Sequence, residues 1–467
     1  MFVALPIEIK NREFDSRLYL AAKFLEHNVS CVIGNKTEVT QYCCNTGEPY
    51  VYIAKSASLN VYEKIIQSGG KFTILDEEGG VYFKDYEGTL DLRNPAQVFE
   101  HIDMYFSWGP VQRDFLLKNK KGVNKEKLLV TGNPRFDLSK AEFGQYHLKT
   151  SSVCSRFPNG YLLVPTRFKR YNHQLGDDGQ SRFVGHMKKN KAELFNKNRL
   201  YTEQRNKGDR DYQAELFTYF VEAVQTLAET FPEEAVVLRP HPAENIERYK
   251  DIFTSCSNVY VLRDGAILEW IAKAKVVIYH DCTTGIEAMF HGVPAISYTP
   301  VFDEDLIQWL PVMAGYRINK LETLVEVITQ HVIQNTNKDH FISRYNHDLI
   351  KTFIANYEFN SADTIVDAVM GKKQKWDEEG WNCKTISDNE ISPFIKRVVS
   401  KLSALAKMNS ARQEEKRQVA ILKKNKFPGI SIDEIEARLK VFYEISGVKN
   451  QVTVQHVDKN TFLLKRE

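Results

Sequence analysis

The stretch VVIYHDCTTGIEAMFHGVPAI, Val276–Ile296, carries the pattern that decides the fold. A short apolar run, Val276–Tyr279, is followed by a polar turn, a helical segment over Gly285–His291 and a second apolar run, Val293–Ser297. Short β-branched runs that alternate with helices are typical of buried parallel strands in a βαβ sheet. The stretch therefore predicts one unit of a doubly wound α/β domain.

The same alternation runs through about the first 300 residues and restarts once. The first series of strand-like runs is Phe2–Ile7, Ser30–Ile33, Tyr50–Ala54, Lys71–Leu75, Met104–Ser107 and Leu128–Thr131. A polar interval, Lys140–Asn159, separates it from a second series that begins at Tyr161–Pro165. We therefore expect an α/β fold of two Rossmann-like domains, residues 1–150 and 151–335, followed by a mostly helical extension over 336–467.

The composition is that of a well-packed globular protein. Of 467 residues, 43% are hydrophobic and 12% aromatic, and 63 Lys and Arg nearly balance 60 Asp and Glu. The formal net charge of +3 favours no nucleic acid as a partner. Seven scattered cysteines without a CxxC pair predict free thiols in a reducing compartment and no zinc site. Because the N-terminus does not have the pattern of a signal peptide and no run of about 18 apolar residues occurs, we expect a cytoplasmic protein.

Two basic segments are candidates for contacts outside the two sheets. Lys169–Arg210, which follows the first strand of the second series, indicates either a solvated loop or a lid over the acceptor. Residues 392–424 place apolar side chains at helical spacing beside basic ones. This segment predicts either a helix packed on the protein or an amphipathic helix lying on the cytoplasmic face of the inner membrane.

Polar residues follow several predicted strands, at the end where open α/β sheets bind ligands. The first such group is the acidic run Asp76, Glu77 and Glu78 after Lys71–Leu75. The others are Arg167 and Lys169 after Tyr161–Pro165, Arg239 and His241 after Ala235–Leu238, and Thr283, Thr284 and Gly285 after Val276–Tyr279. A site between the two domains would bring these groups together, and Arg239 and Gly285 would then help to bind the phosphate of a nucleotide.

The hydroxyls of Thr283 and Thr284 precede a helix, whose free N–H groups and positive end favour a phosphate. The spacing of Thr284 and Glu287 also predicts a capping box, which is compatible with phosphate binding. His241 stands between two prolines that restrict its backbone, so it is either a structural residue or a rigid phosphate partner or general acid beside Arg239.

Three of these groups, in their order along the chain, resemble a known enzyme class. Glu77-Glu78-Gly79, His241-Pro242 and Thr283-Thr284 are similar to motifs of bacterial GT-B glycosyltransferases that use CMP-activated sugars, such as sialyl-, polysialyl- and Kdo transferases. The stretches PIEIKNREFDSRLYLAAKFLEHNVSCVIG, from Pro6, and VTGNPRFD, from Val130, also look like bacterial surface-carbohydrate biosynthesis proteins. The resemblance covers roughly residues 1–300.

The resemblance implies a metal-independent, inverting glycosyltransferase that needs no cofactor. Its donor would be a CMP-activated ulosonic acid of the sialic, pseudaminic, legionaminic or Kdo class, and its acceptor a surface glycan or a lipid-linked glycan. Glu77 or Glu78 would be the base, and His241 would hold the leaving phosphate with the threonine pair. Glu287 would contact the ribose, and Arg167 or Lys169 would meet the phosphate or the donor carboxylate. The family has a Ser-Ser or Ser-Thr pair where this chain has Thr283-Thr284, and the acidic pair of this chain is Glu-Glu, which also departs from the family. The longer side chain of Glu would change the position of the catalytic carboxylate.

Other activities of the same architecture stay open. A transferase of glycerol phosphate from CDP-glycerol and a nucleotide-sugar epimerase are the enzyme alternatives, although an epimerase needs several acids around one sugar. A catalytically silent scaffold in capsule assembly is the non-enzymatic alternative. The Asp-x-Asp pairs at Asp209 and Asp303 indicate solvated loops rather than the metal site of a GT-A transferase.

Overall fold

The computed structural model describes residues 1–78, 82–84, 86–151, 153–176, 203–334, 337–386, 426–448 and 451–467. It confirms the predicted fold, which is a GT-B-like pair of parallel-sheet α/β domains with additional helices. Two segments named in the sequence analysis lie outside the described residues. They are residues 392–424, to which the membrane-surface hypothesis applies, and residues 177–202, which make up most of the basic insertion. No described helix combines the length and the apolar character needed to cross a membrane.

The first sheet is built from the N-terminal strands. They are β1 Phe2–Ile7, β2 Cys31–Asn35, β3 Tyr50–Ala54, β4 Lys71–Leu75, β5 Met104–Ser107 and β6 Leu128–Val130. The order β2-β1-β3-β4-β5-β6 is parallel throughout, so the carboxyl ends of β1, β3 and β4 lie side by side. The helices of this domain are Lys10–Glu26, Lys36–Thr46, Leu59–Gln67, Tyr86–Arg93, Ala96–Phe99, Pro110–Asn119, Pro134–Asp137 and Gly144–Thr150.

The second sheet repeats the design. Its strands are β7 Tyr161–Pro165, β8 Val236–Arg239, β9 Val259–Val261, β10 Ala274–Tyr279, β11 Ala295–Tyr298 and β12 Tyr316–Ile318. The parallel order β12-β11-β10-β7-β8-β9 places the ends of β10, β7 and β8 next to one another. The helices of this domain are Glu203–Thr230, Ile246–Ile252, Ile267–Ile271, Thr283–His291, Trp309–Ala314 and Leu321–Ile328.

The rest of the chain returns to the first domain and is not all helical. Its helices are Lys338–Ile342, His347–Phe353, Ser361–Glu379 and Ile432–Ser446. The final residues form a hairpin, β13 Val452–Asp458 and β14 Thr461–Arg466, and β14 pairs antiparallel with β2. The expectation of a mostly helical extension therefore missed two strands of the first sheet.

One arginine of the C-terminal segment joins both domains away from the strand ends. Arg438, in the helix Ile432–Ser446, pairs with Asp15 of the first domain at 2.6 Å. It also pairs with Glu269 of the second domain at 3.7 Å. The C-terminal segment is thus part of the connection between the domains.

Candidate functional site

The acidic run after β4 is an ion-pair network rather than a solvated turn. Glu77 is buried and pairs with the equally buried Arg17 at 2.8 Å. Asp76 accepts a hydrogen bond from Arg93 at 3.1 Å. Glu78 is held by Arg93 at 2.5 Å and by a second arginine, Arg12, at 3.0 Å. Glu78, whose side chain is 44% exposed, is the one carboxylate of the run that solvent reaches freely.

These arginines set the proton affinity of the two candidate bases. Burial raises the pKa of Glu77, although Arg17 opposes the effect. Burial would also raise the pKa of Glu78, but Arg93 and Arg12 outweigh it and lower that pKa to about 2. The acidic neighbours of Glu78 therefore do not bring its pKa toward neutrality. The carboxylate with the raised pKa is Glu77, which is buried against Arg17.

Replacing Glu78 by glutamine is expected to reduce turnover by less than about tenfold. A general base contributes about 10²–10⁴-fold when its pKa lies near the working pH, and Glu78 is far too acidic for that role. Steady-state turnover of Glu78→Gln and of wild type, measured with the same donor and acceptor, checks this. A loss of several hundredfold with unchanged nucleotide affinity would restore Glu78 as the base.

Two further carboxylates join the acidic run from other elements. Glu13, buried in the helix Lys10–Glu26, accepts the backbone N–H of Glu8 at 2.7 Å and pairs with Arg12 at 2.8 Å. Lys55, at the end of β3, lies 3.0 Å from Glu8 and 3.5 Å from Glu13. The edge of the first domain therefore collects carboxylates from the ends of β1 and β4 and from the first helix.

On the second domain, an ion pair links the ends of β7 and β10. Arg167 donates two hydrogen bonds to Asp281, at 3.0 and 2.6 Å. Burial disfavours the charged form of Asp281, but Arg167 and His280 outweigh it and hold its pKa well below the usual value. Arg167 is thus committed to Asp281, a residue that the sequence analysis missed although it directly precedes the CTTG turn.

Lys169 and His241 keep polar atoms available at this edge among the residues that the structure describes. Within the described part of the chain, the ammonium of Lys169 makes no hydrogen bond or ion pair. Burial, aided by Arg167 and Arg170, lowers the pKa of Lys169 to about 8. His241 Nδ1 accepts the N–H of Ala243 at 3.1 Å, so the ring hydrogen is on Nε2. Burial and the charge of Lys169 hold the pKa of His241 well below its usual value, which keeps the ring neutral.

Glu244 fixes the loop that carries His241, and the sequence analysis missed it. Its carboxylate is buried and accepts the backbone N–H of His241 at 3.0 Å. It also accepts the hydroxyls of Thr166 at 3.1 Å and Tyr249 at 2.6 Å. Burial raises the pKa of Glu244 to about 7. The loops after β7 and β8 are therefore joined through one carboxylate.

Arg239 serves a different loop from the one expected. It donates to the backbone carbonyls of Asp264 and Gly265, each at 2.6 Å, and lies over the ring of Trp270 at 5.6 Å. Burial lowers the pKa of Arg239 to about 10. The expectation that Arg239 holds a phosphate beside His241 is corrected, because its guanidinium anchors the loop after β9.

The helix Thr283–His291 begins at the first of the two threonines, without a side-chain cap. Its N-cap residue, Cys282, makes no capping hydrogen bond. The capping box predicted for Thr284 and Glu287 is wrong, since Glu287 is buried and pairs with Arg135 at 2.5 Å. The positive end of this helix is therefore left to other partners, and Thr283 lies at that end.

Gly285 is required by packing. A Cβ atom at this position would lie 2.1 Å from the ring of Tyr279, at the end of β10. The absence of a side chain at Gly285 therefore lets the Thr283–His291 helix lie close on its preceding strand. The phosphate role expected for Gly285 is not needed to explain the residue.

Gly285→Ala is expected to lower the free energy of unfolding by about 1–3 kcal/mol, because the methyl group must displace the Tyr279 ring. Urea unfolding followed by circular dichroism measures the change. Gly371→Ala is the matched control, since Gly371 lies in the helix Ser361–Glu379 with no atom within 4 Å of its would-be Cβ. A Gly285→Ala variant as stable as the Gly371→Ala variant would contradict the packing role.

The two edges face each other closely enough for their charges to interact. The negative charge of Glu78 acts on Lys169, and the positive charge of Arg12 acts on His241. The first domain thus presents paired carboxylates, and the second presents an available lysine, a neutral histidine and a helix start. Such an asymmetric cleft suits a ligand with one anionic end.

Asp209 and Asp303, the first residues of the two Asp-x-Asp pairs, have protein partners. Asp209 pairs with Arg170 and accepts a hydrogen bond from Gln213 at 2.7 Å. Asp303 accepts the N–H of Asp305 at 3.0 Å in an exposed turn. Across the described ranges, no cluster of three or more His, Cys, Asp or Glu side chains could hold a metal ion.

Comparisons with known proteins give distant structural likenesses. No protein-family model and no curated protein matches the chain. Among solved structures, the chain is similar to the S. aureus MnaA–UDP co-structure (12% identity, 82% of this chain and 100% of that chain, TM-score 0.47). It is also similar to UDP-GlcNAc 2-epimerase from Neisseria meningitidis bound to UDP-GlcNAc (11% identity, 79% of this chain and 100% of that chain, TM-score 0.49). The chain is similar as well to a variant of the wall teichoic acid polymerase TagF soaked with CDPG (11% identity, 81% of this chain and 90% of that chain, TM-score 0.46). At such identities and scores, the function has to be argued from the site itself.

Proposed function

We propose that the protein is an enzyme that breaks the bond between a nucleoside phosphate and the sugar or glycerol phosphate that it activates. The nucleotide would bind on the second domain, and the transferred group would lie against the first. The observation that carries the proposal is the pairing of an uncapped helix start at Thr283 with the available Lys169 and the neutral His241. These groups supply N–H donors and a cation for the charge that develops on a leaving phosphate.

The first candidate donor is a CMP-activated ulosonic acid of the sialic, pseudaminic, legionaminic or Kdo class. Such a donor carries a carboxylate as well as a phosphate, so it needs positive groups at two places. Lys169 can meet one of them while the helix start at Thr283 meets the other. The acceptor would be a surface glycan or a lipid-linked glycan, and the exposed Glu78 would line its side of the cleft.

The second candidate is the epimerase or CDP-glycerol-type phosphotransferase of the same architecture. The specific observation in its favour is the gathering of Glu8, Glu13 and the acidic run at one edge. An epimerase needs several acids around one sugar, and the carboxylates come from three elements rather than from one run. The low pKa of Glu78 also weakens the single-base mechanism that the first candidate requires.

Three donors separate these candidates. The 467-residue chain is incubated with a CMP-ulosonic acid, CDP-glycerol or UDP-GlcNAc, with and without an acceptor glycan and with and without EDTA. We expect acceptor-dependent release of CMP from the first donor, resistant to EDTA. Acceptor-dependent consumption of CDP-glycerol, or conversion of UDP-GlcNAc without an acceptor, would select the second candidate. No reaction with any donor, together with no nucleotide binding, would leave the scaffold alternative.

Nucleotide affinity is expected to fall as the pH rises through about 8, the pKa of Lys169. A lysine is charged below its pKa, so the attraction for a phosphate or carboxylate is present at lower pH and lost at higher pH. Isothermal titration calorimetry from about pH 6 to pH 9.5 measures the change around that pKa. Lys169→Met should bind more weakly and show a flatter profile. An identical decline in both proteins would assign the pH dependence to another group.

A further inference from the structure

We propose that Arg135, a residue of the first domain, binds the phosphate of the nucleotide held at the Thr283–His291 helix. The inference rests on the proposed function and adds a residue that the sequence analysis did not select. One arginine would then connect the nucleotide on the second domain with the acidic edge of the first.

The guanidinium of Arg135 already lies at the start of that helix. Its Nη2 donates to the hydroxyl of Thr283 at 2.9 Å, and its Nε donates to Glu287 at 2.5 Å. Among the described residues, none accepts a hydrogen bond from Nη1. The planar guanidinium presents five N–H donors in a fork that matches a phosphate, so Arg135 still has N–H donors for a ligand at the start of the helix.

The backbone around Arg135 is fixed before any ligand arrives. The Asn133 side chain accepts the N–H of Arg135 at 3.0 Å, and the Ser139 hydroxyl donates to its carbonyl at 2.9 Å. The guanidinium also lies over the ring of Phe136 at 5.7 Å. A side chain that is held in this way loses little conformational freedom when it binds a ligand.

The same loop contacts the acidic run. Asn133 Nδ2 donates to the backbone carbonyl of Asp76 at 3.3 Å, and the indole of Trp108 donates to that carbonyl too. Trp108 in turn packs edge-on against Phe136, the neighbour of Arg135. The position of Arg135 is therefore tied to the turn that carries Glu77 and Glu78.

Glu287 gives an independent reason to expect a ligand beside Arg135. Its carboxylate is buried, and Oε2 has no hydrogen-bond partner in the described part of the chain. A buried acceptor without a donor is unfavourable. A nucleotide can correct this, since its ribose hydroxyls are donors for Glu287 while its phosphate is an acceptor for Arg135 Nη1.

The experiment compares nucleotides with their nucleosides. Calorimetry with CMP, CDP and UDP, and with cytidine and uridine, is carried out on wild type, Arg135→Met, Arg135→Lys and the double variant Arg135→Met/Glu287→Gln. The double variant removes the unpaired buried carboxylate that could prevent Arg135→Met from folding. We expect the Kd for the nucleotide to rise at least about tenfold in both Met variants, with a smaller rise for Lys. The Kd for the nucleoside should stay unchanged in the two single variants, Arg135→Met and Arg135→Lys, which keep the Glu287 carboxylate for the ribose.

Arg438→Met is the matched control, because Arg438 also bridges the two domains and its side chain is 15% exposed against 11% for Arg135. It should keep the wild-type ratio of nucleoside to nucleotide affinity. An unchanged ratio in the Arg135 variants would overturn the inference and leave the proposed function standing. A wild-type chain that binds none of the nucleotides would overturn both.

Discussion

Replacing Glu77 by glutamine is expected to lower the free energy of unfolding by about 3–5 kcal/mol, the usual cost of breaking a buried ion pair. Glu77 and Arg17 are each about 1% exposed and lie 2.8 Å apart. The other described acceptors of Arg17 are the carbonyls of Ile53, at 3.3 Å, and Leu75, at 3.5 Å. Two long bonds to carbonyls leave the guanidinium charge uncompensated once the carboxylate is gone.

Urea unfolding of wild type and Glu77→Gln measures this loss. Glu78→Gln is the control from the same turn, and since exposed pairs contribute about 0–1 kcal/mol, it should change stability little. The double variant Arg17→Met/Glu77→Leu should recover most of the loss, because apolar side chains often replace a buried pair without cost. Equal stabilities of Glu77→Gln and Glu78→Gln would show that the pair is not what fixes the turn.

This pair also explains why three acids follow β4. Asp76 and Glu77 are buried on arginines, and both carboxylates fix the turn. Glu78 is left at the surface of the cleft, but two arginines keep it acidic. The run is therefore neither a simple solvated loop nor a base poised near neutrality. It is a set of ion pairs that fixes the turn at the edge of the first sheet.

Local pattern was sufficient for most of the fold. The strands β1, β3, β4, β5 and β7 have the bounds that their apolar runs predict, because each is a short buried segment between polar turns. Ser431 also caps the helix Ile432–Ser446, with its hydroxyl accepting the N–H of Glu434 at 3.1 Å. The C-terminal hairpin was missed although Val452, Val454 and Leu464 show strand-like alternation, because its pairing with β2 is a contact between the two ends of the chain.

The partners of the site residues could not be predicted in the same way. Arg135 and Glu287 are 152 positions apart, and the pair exists only because the two sheets face each other. The residues around Thr284 predict a capping box, but Glu287 pairs instead with Arg135 of the other domain. Likewise, the sequence around Glu78 does not reveal that Arg12 and Arg93 will hold it.

Replacing His241 by alanine is expected to lower turnover by about 10²–10³-fold, with a much smaller effect on nucleotide affinity. Removing one preorganised donor to a developing negative charge has this cost. His241 Nδ1 is occupied by the N–H of Ala243, so the group aimed outward is the Nε2 hydrogen. The backbone of His241 is held by Glu244 at 3.0 Å, which keeps that donor in place between substrate turnovers.

The same variant tells whether His241 donates a hydrogen bond or transfers a proton. Because burial and Lys169 hold its pKa well below the usual value, the ring stays neutral at neutral pH. A neutral donor adds no limb to the pH profile of turnover near the ordinary histidine pKa, whereas a general acid would add one that disappears in His241→Ala. His241→Asn keeps an N–H donor without a titrating ring, so it should recover part of the turnover if the donor role is right. Turnover as low in His241→Asn as in His241→Ala, together with the loss of an alkaline limb present in the wild-type profile, would make His241 the acid that protonates the leaving group.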